Sequence, residues 1–251
     1  MPRAVEPTEI DRAAALLREG RVVAFPTETV YGLGADALNP GAVREVYRLK
    51  GRPSNNPLIV HVADSDAAAR VSAEWPRAAA LLAERFWPGP LTLVLPKGDG
   101  LPDEVVAGGE TVALRCPDHP VALALLRAFG GPLVGPSANP SGRVSPTTAA
   151  HMREAFDERD VLVLDGGPCR VGIESTVLSV VGSTPRVLRA GAISAADLSA
   201  SLGEPVDDGS EGRERIDATG IASPGRFASH YAPNAPAFLL GRDELIAALD
   251  H

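Results

Sequence analysis

The chain has 251 residues, 45% of them hydrophobic and only 4% aromatic, with a formal net charge of −8 and a pI near 5.2. That length supports one sizeable core, made mostly of Val, Leu, Ile and Ala, with at most a small appendage. The acidic balance argues against a broad polyanion-binding surface, whose affinity would come from phosphate neutralisation, but leaves room for a small positive pocket that takes a nucleotide.

Residues 8–19 read as a helix, with Thr8 as N-cap, Asp11 three residues later and Gly20 as its stop. RVVAFPT is a short apolar run fit for a buried strand, and YGLGADA is a turn-rich segment. A second helix, PGAVREVYRLK, starts after Asn39, and PLIVHVA is a strand. AAALLAERFW is a helix closed by Pro88-Gly89-Pro90, followed by the strands LTLVLPK and TVALRCP. HPVALALLRAFG is a helix ending at Gly130 and Gly131, and PLVGPSA is a strand running into a polar loop. SPTTAAHMREAF reads as a helix with Ser145 as cap and Pro146 at its first position. VLVLDGG, STVLSVVG and RVLRAG complete the strands. Interleaved strands and helices make the class α/β, and strands in consecutive pairs predict a mixed twisted sheet with helices packed on it.

The texture changes near Gly203, where GEPVDDGSEGRERIDATG is polar and charge-dense, as in a linker or lid. This divides the chain into a main domain at 1–202, a linker at 203–235 and a short tail at 236–251. Cys116 and Cys169 form no CxxC and suggest no disulfide framework. With no apolar run of transmembrane length and no signal pattern, a cytoplasmic protein with no membrane partner is expected.

Five segments are candidates for chemistry. FPTETVYGLGADA sets Thr27, Glu28, Thr29 and Tyr31 at the end of an apolar strand, where α/β folds often place ligand groups; a simple capped turn is the alternative. KGRPSNNPLIVH holds Lys50, one of only two lysines in the chain, beside Arg52, in a loop stiffened by Pro53 and Pro57. An ammonium is a mobile point charge for phosphate and a guanidinium a flat fork for phosphate or carboxylate, so an extended KGR would aim both the same way. VGPSANPSGRVSPTT is rich in small polar residues, and a helix opening at Pro146 would add N–H groups and a positive dipole end. Arg115 and Arg189 sit at strand ends, and Glu174, Ser175 and Thr176 lead a strand. Each arginine alone reads as a surface ion pair, but together with the hydroxyl-rich loops they point to a shared polyanion site.

Taken in order, PTETVYGLG, KGRPSNNPLIVH, WPGPLTLVL, VALRCPDHP, PSANPSGRVSPT, GIESTV and VLRAG resemble the YrdC-like family, and within it the L-threonylcarbamoyl-adenylate synthases. The resemblance runs from about Ile10 to Ile193. It implies a twisted, mostly antiparallel sheet with a deep, locally positive cavity. It also implies ATP-dependent conversion of L-threonine and bicarbonate or CO2 to threonylcarbamoyl-AMP and pyrophosphate, with Mg2+ riding mainly on the phosphates. The product would pass to a tRNA-modifying transferase complex. On this resemblance Lys50 and Arg52 are the catalytic cations, and Asn56, Thr111, Ser137, Asn139, Ser145, Arg189 and Tyr231 join them in holding ATP. Thr29, Tyr31, His61, Arg115 and Ser175 would hold L-threonine, and His230 with Tyr231 would close over the cavity. No residue is assigned as a metal ligand. SPGRFASHYAP resembles the linker of the family's longer branch, whose second domain would here be missing or reduced to a stub. The alternatives are a double-stranded RNA-binding module without catalysis, which the acidic charge counts against, and carbamoyl transfer to another acceptor.

Overall fold

The computed structural model describes residues 5–157 and 160–210. The rest of the expected linker and tail, with His230 and Tyr231, lies outside them. In chain order the elements are α1 (Pro7–Arg18), β1 (Val23–Phe25), β2 (Gly32–Asp36), α2 (Pro40–Lys50), β3 (Ile59–His61), α3 (Ser65–Val71), α4 (Arg77–Phe86) and β4 (Leu91–Pro96). They continue as α5 (Asp103–Val106), β5 (Thr111–Arg115), α6 (Pro120–Phe129), β6 (Leu133–Val134), α7 (Ala149–Ala155), β7 (Leu162–Val163), β8 (Thr176–Ser179), β9 (Arg186–Arg189) and α8 (Ala195–Leu202).

The strands form one nine-stranded sheet in the order β7-β1-β2-β6-β3-β5-β4-β8-β9. Only β1–β7, β3–β5 and β4–β8 are parallel pairs, so the sheet is mixed and mostly antiparallel, as expected. Side chains alternate across each strand, and register makes the alternation agree between neighbours. Val60 lies opposite Leu114, which lies opposite Leu93, which pairs with Leu178. All four are fully buried in the main hydrophobic cluster with the helical residues Val43, Val46, Leu82 and Leu198. A second cluster packs α1 and α6 on β1 through Leu17, Leu125, Leu126 and Phe25.

Four sequence expectations change. The first helix starts at Pro7 rather than after Thr8, because Glu6 N–H donates to Glu9 Oε2 and Pro7 sits where its missing N–H costs nothing. YGLGADA is strand β2: the ring of Phe25 on β1 lies over it, and a Cβ at Gly34 would stand 2.9 Å from that ring. Here glycine makes room for an aromatic, not for a turn. The helix expected from Pro146 begins at Ala149 with Thr148 as its cap, so the expected N–H cluster at Pro146 does not form. KGR is not extended, because α2 runs through Lys50 and stops at Gly51, whose φ of 57° is left-handed and suits a residue without Cβ. The cap of α2 is as expected: Asn39 Oδ1 accepts from the N–H groups of Gly41 and Ala42. Helices α3, α5 and α8 add to the expected set. Beyond α8, Asp207 pairs with β9, donating to Pro185 and accepting from Val187.

Candidate active site

The opposite face of the sheet centre carries the polar groups. Register sets Ile59 beside Ala113 and His61 beside Arg115. Val94 and Val177 complete a thin apolar patch on this face, with Leu188 against it. Above the patch lies a hollow lined by Thr29, Val30, Arg52, Ile59, His61, Arg115, Gly135, Ser137, Glu174, Ser175 and Arg189. Three guanidinium groups thus face one carboxylate across a confined space, which favours an anionic ligand.

The strand ends and loops fix each group. Thr27 Oγ1 donates to the Val30 carbonyl at 2.6 Å and lies 2.9 Å from Thr29 Oγ1. With the Thr27 proton spent on Val30, the Thr29 hydroxyl is the donor of that pair and its lone pairs stay available. His61 is buried, and neither ring nitrogen has a hydrogen-bond partner among the described residues. Desolvation, then the charge of Arg115, holds its pKa well below the usual imidazole value, so the ring is neutral at pH 7 with one donor and one acceptor nitrogen. Any Cβ at residue 135 would lie 2.5 Å from His61 Nδ1, so Gly135 is what lets the loop approach the ring.

Arg115 donates from Nε to the Gly89 carbonyl at 3.3 Å, and its Nη2 lies 2.7 Å from Glu28 Oε2. That contact is an ion pair by distance but not a hydrogen bond by angle, since neither atom has a hydrogen-bond partner among the described residues. Arg189 donates to the Ser175 carbonyl from Nε and Nη2, and Nη2 also reaches Ser175 Oγ at 3.1 Å. Ser175 Oγ lies 2.7 Å from Thr92 Oγ1 on β4. Glu174, on the lining, accepts at Oε1 from the Ser145 hydroxyl at 2.5 Å.

Arg52 lines this hollow, whereas Lys50 is not among its lining residues and reaches its edge through the 137–139 loop. The Lys50 ammonium is 3% exposed and donates to the carbonyls of Ser137 and Asn139, both at 2.5 Å, which leaves its third proton uncommitted by these bonds. Burial, then the neighbouring Arg52 charge, lowers its pKa well below the usual lysine value. Arg52 lines the hollow, with Nε on the Asn56 carbonyl and Nη2 on Asn56 Oδ1 and the Pro57 carbonyl.

The remaining expected site residues divide. Thr29, Arg52, His61, Arg115, Ser137, Ser175 and Arg189 line the hollow together. Asn56 stands behind Arg52 as its acceptor. Asn139 spends its amide protons on the Pro140 and Arg143 carbonyls, and its buried Oδ1 has no partner among the described residues. Ser145 touches the site through Glu174. Two expectations do not converge. Tyr31 is fully buried in the core with its hydroxyl on the Gly167 carbonyl, and it is not among the residues that line the hollow. Thr111 sits at the far end of β5, about 13 Å along the strand from Arg115. Glu28 and Glu174 stood in candidate segments of the sequence but were given no role in the site. The available signal was Arg115: a buried arginine on an apolar strand requires an acid nearby.

Among the described residues no three His, Cys, Asp or Glu side chains cluster closely enough to cage a metal ion, and no helix is long and apolar enough to cross a membrane. Both cysteines are free, and burial pushes the Cys116 thiol up to about 12 and Cys169 to about 11.

A family model named Sua5_yciO_yrdC, described as "Telomere recombination", matches residues 15–191. A threonylcarbamoyl-AMP synthase of Bacillus subtilis is 52% identical over 231 residues, covering 91% of this chain and 65% of that protein. A threonylcarbamoyl-AMP synthase of Halorhodospira halophila is 45% identical over 172 residues, covering 68% of this chain and 88% of that one. A crystal structure of P. abyssi Sua5 complexed with L-threonine superposes with a TM-score of 0.86 at 43% identity, over 93% of this chain and 68% of that one. This chain therefore spans 65% of the length of the B. subtilis protein. From the fold, the order of its motifs and the extent of these matches, the chain belongs to the Sua5/YciO/YrdC family.

Proposed function

We propose that this chain makes L-threonylcarbamoyl-AMP and pyrophosphate from ATP, L-threonine and bicarbonate or CO2, for threonylcarbamoyladenosine modification of tRNA. The observation that carries the reading is the convergence of Arg52, Arg115, Arg189, His61, Thr29 and Ser175 on one hollow, in a chain 52% identical to a threonylcarbamoyl-AMP synthase. The threonine complex of P. abyssi Sua5 supports the choice of amino acid.

The chemistry suits these groups. A threonine amine adds to CO2 with loss of a proton, giving a carbamate. A carbamate oxygen then attacks the α-phosphorus in line, and pyrophosphate leaves. Nucleophile and electrophile are both anionic, so the site works by cancelling charge and holding geometry. Arg115 takes the threonine carboxylate beside the Thr29 hydroxyl, and neutral His61 offers its acceptor nitrogen to the amine. Arg52 and Arg189, both on the lining, take the phosphates. Lys50 shapes the 137–139 loop through its two carbonyl bonds and offers its remaining proton to an anion. Mg2+ would enter with ATP, held by phosphate oxygens and water, with Glu174 as the carboxylate of the lining that could accept one of those waters. Cytoplasmic location, handover to a tRNA-modifying transferase complex and weak RNA binding complete the proposal.

The test is pyrophosphate release from ATP, threonine and bicarbonate, with each omitted in turn and the product identified by mass. Release that requires all three is expected. Release indifferent to threonine overturns the reading.

A further inference from the structure

We infer that Glu28 is a positioning residue: its buried carboxylate holds the Arg115 guanidinium in the orientation that presents it to the carboxylate of the amino-acid substrate. The inference rests on the function proposed above and adds a residue that the reaction itself does not touch.

Glu28 is 1% exposed and Arg115 4%. Neither Glu28 oxygen has a hydrogen-bond partner among the described residues, which is rare for a buried carboxylate. Its named contact is the 2.7 Å approach to Arg115 Nη2. A buried ion pair is a weak source of net stability, because desolvation offsets most of the attraction. Glu28 neutralises a buried guanidinium, and because it does so from a loop on the wall of the hollow it also sets which way that guanidinium faces.

The geometry shows what is positioned. Arg115 is held at two points, Nε by the Gly89 carbonyl and Nη2 by Glu28, and two points on a planar fork leave it only a tilt. Glu28 itself is anchored through its backbone: its carbonyl accepts from Val171 N–H at 2.8 Å, and the Thr29 carbonyl accepts from Gly172 N–H at 3.1 Å. The segment that carries Glu28 thus joins the loop leading to Glu174 and Ser175, while Arg115 belongs to the sheet floor beside His61. The ion pair locks the loop wall of the hollow to its floor, at the place where Thr29, Arg115 and Ser175 face one another.

The experiment compares the full chain with Glu28→Gln, which keeps the volume and removes the charge, and Glu28→Asp, which keeps the charge one methylene further away. KM for threonine and KM for ATP are measured by pyrophosphate release. The order of the Arg115 Nε–H group is followed by NMR, with Arg115→Lys used to assign its signal. In Glu28→Gln we expect the threonine KM to rise at least tenfold, the ATP KM to stay within twofold, and the Arg115 Nε–H order to fall. Glu28→Asp should lie between the two in all three readouts. Unchanged KM values, or equal rises in both, overturn the inference, the second outcome marking a purely structural role. Should Glu28→Gln fail to fold, Glu28→Asp decides by the same threonine-selective rise. Wild-type protein without threonine-dependent release would overturn the proposed function. The positioning role is then judged by the Nε–H order alone, and an unchanged signal overturns it.

Discussion

The two faces of the sheet centre share their strands and differ in what a side chain there must do. On one face Val60, Leu93, Leu114 and Leu178 meet helices and need only fill space without voids. On the other, one residue away in each strand, His61, Arg115 and Thr92 stand over a floor of Ile59, Val94, Ala113 and Val177. The first face obtains its stability from apolar area. The second keeps charges and unpaired nitrogens out of water, which costs stability and gains a field aimed at a ligand. The strands are rigid because of the first face, and that rigidity lets the second hold a strained electrostatic arrangement.

The comparison can be broken from either side. Leu114→Ala, on the packing face, should lower unfolding free energy by about 2–5 kcal/mol in denaturant titration, with turnover per folded molecule unchanged. Arg52→Ala, on the wall above the other face, should remove about 2–4 kcal/mol of transition-state stabilisation, seen as a large fall in kcat/KM with little change in melting temperature. Normal product formation by that variant would end its assigned role. Val177→Ala, in the apolar floor, should do some of both: a stability loss of about 1.5–2 kcal/mol from two missing methyl groups, with weaker substrate binding in calorimetry.

The smallest effect is the most specific. His61 has a folded pKa depressed by burial and by Arg115, so below the unfolded imidazole value the unfolded chain binds the proton that the native state refuses. Stability therefore rises with pH through this range and is lost as pH falls below about 6.5, by at most about 1.4 kcal/mol per pH unit for this one group. Melting curves between pH 7 and pH 5 should show a shallower slope for His61→Gln than for wild type. Equal slopes would mean that the ring is not held neutral.

Much of this was legible along the chain. The apolar runs around Val60, Leu93, Leu114 and Leu178 marked the strands, and Asn39 followed by Pro40 marked the start of α2. The cationic and hydroxyl residues that line the hollow stood out as strand-end groups in their motifs. Local pattern failed where a partner from elsewhere decided the outcome. YGLGADA looked like a turn until the Phe25 ring accounted for its glycines. Ser145 looked like a helix cap, but its hydroxyl goes to Glu174, 29 residues away in the chain.

The sequence alone determined the α/β class, the core alternation and the set of polar groups available, because these follow from side-chain type and period within a few residues. Tertiary structure alone decided which of those groups share a space. The Tyr31 hydroxyl goes to the Gly167 carbonyl in the core and Thr111 stands at the far end of β5, while Glu28 comes within 2.7 Å of Arg115. Burial and charge act through distance in space, and that distance is set by how the strands align.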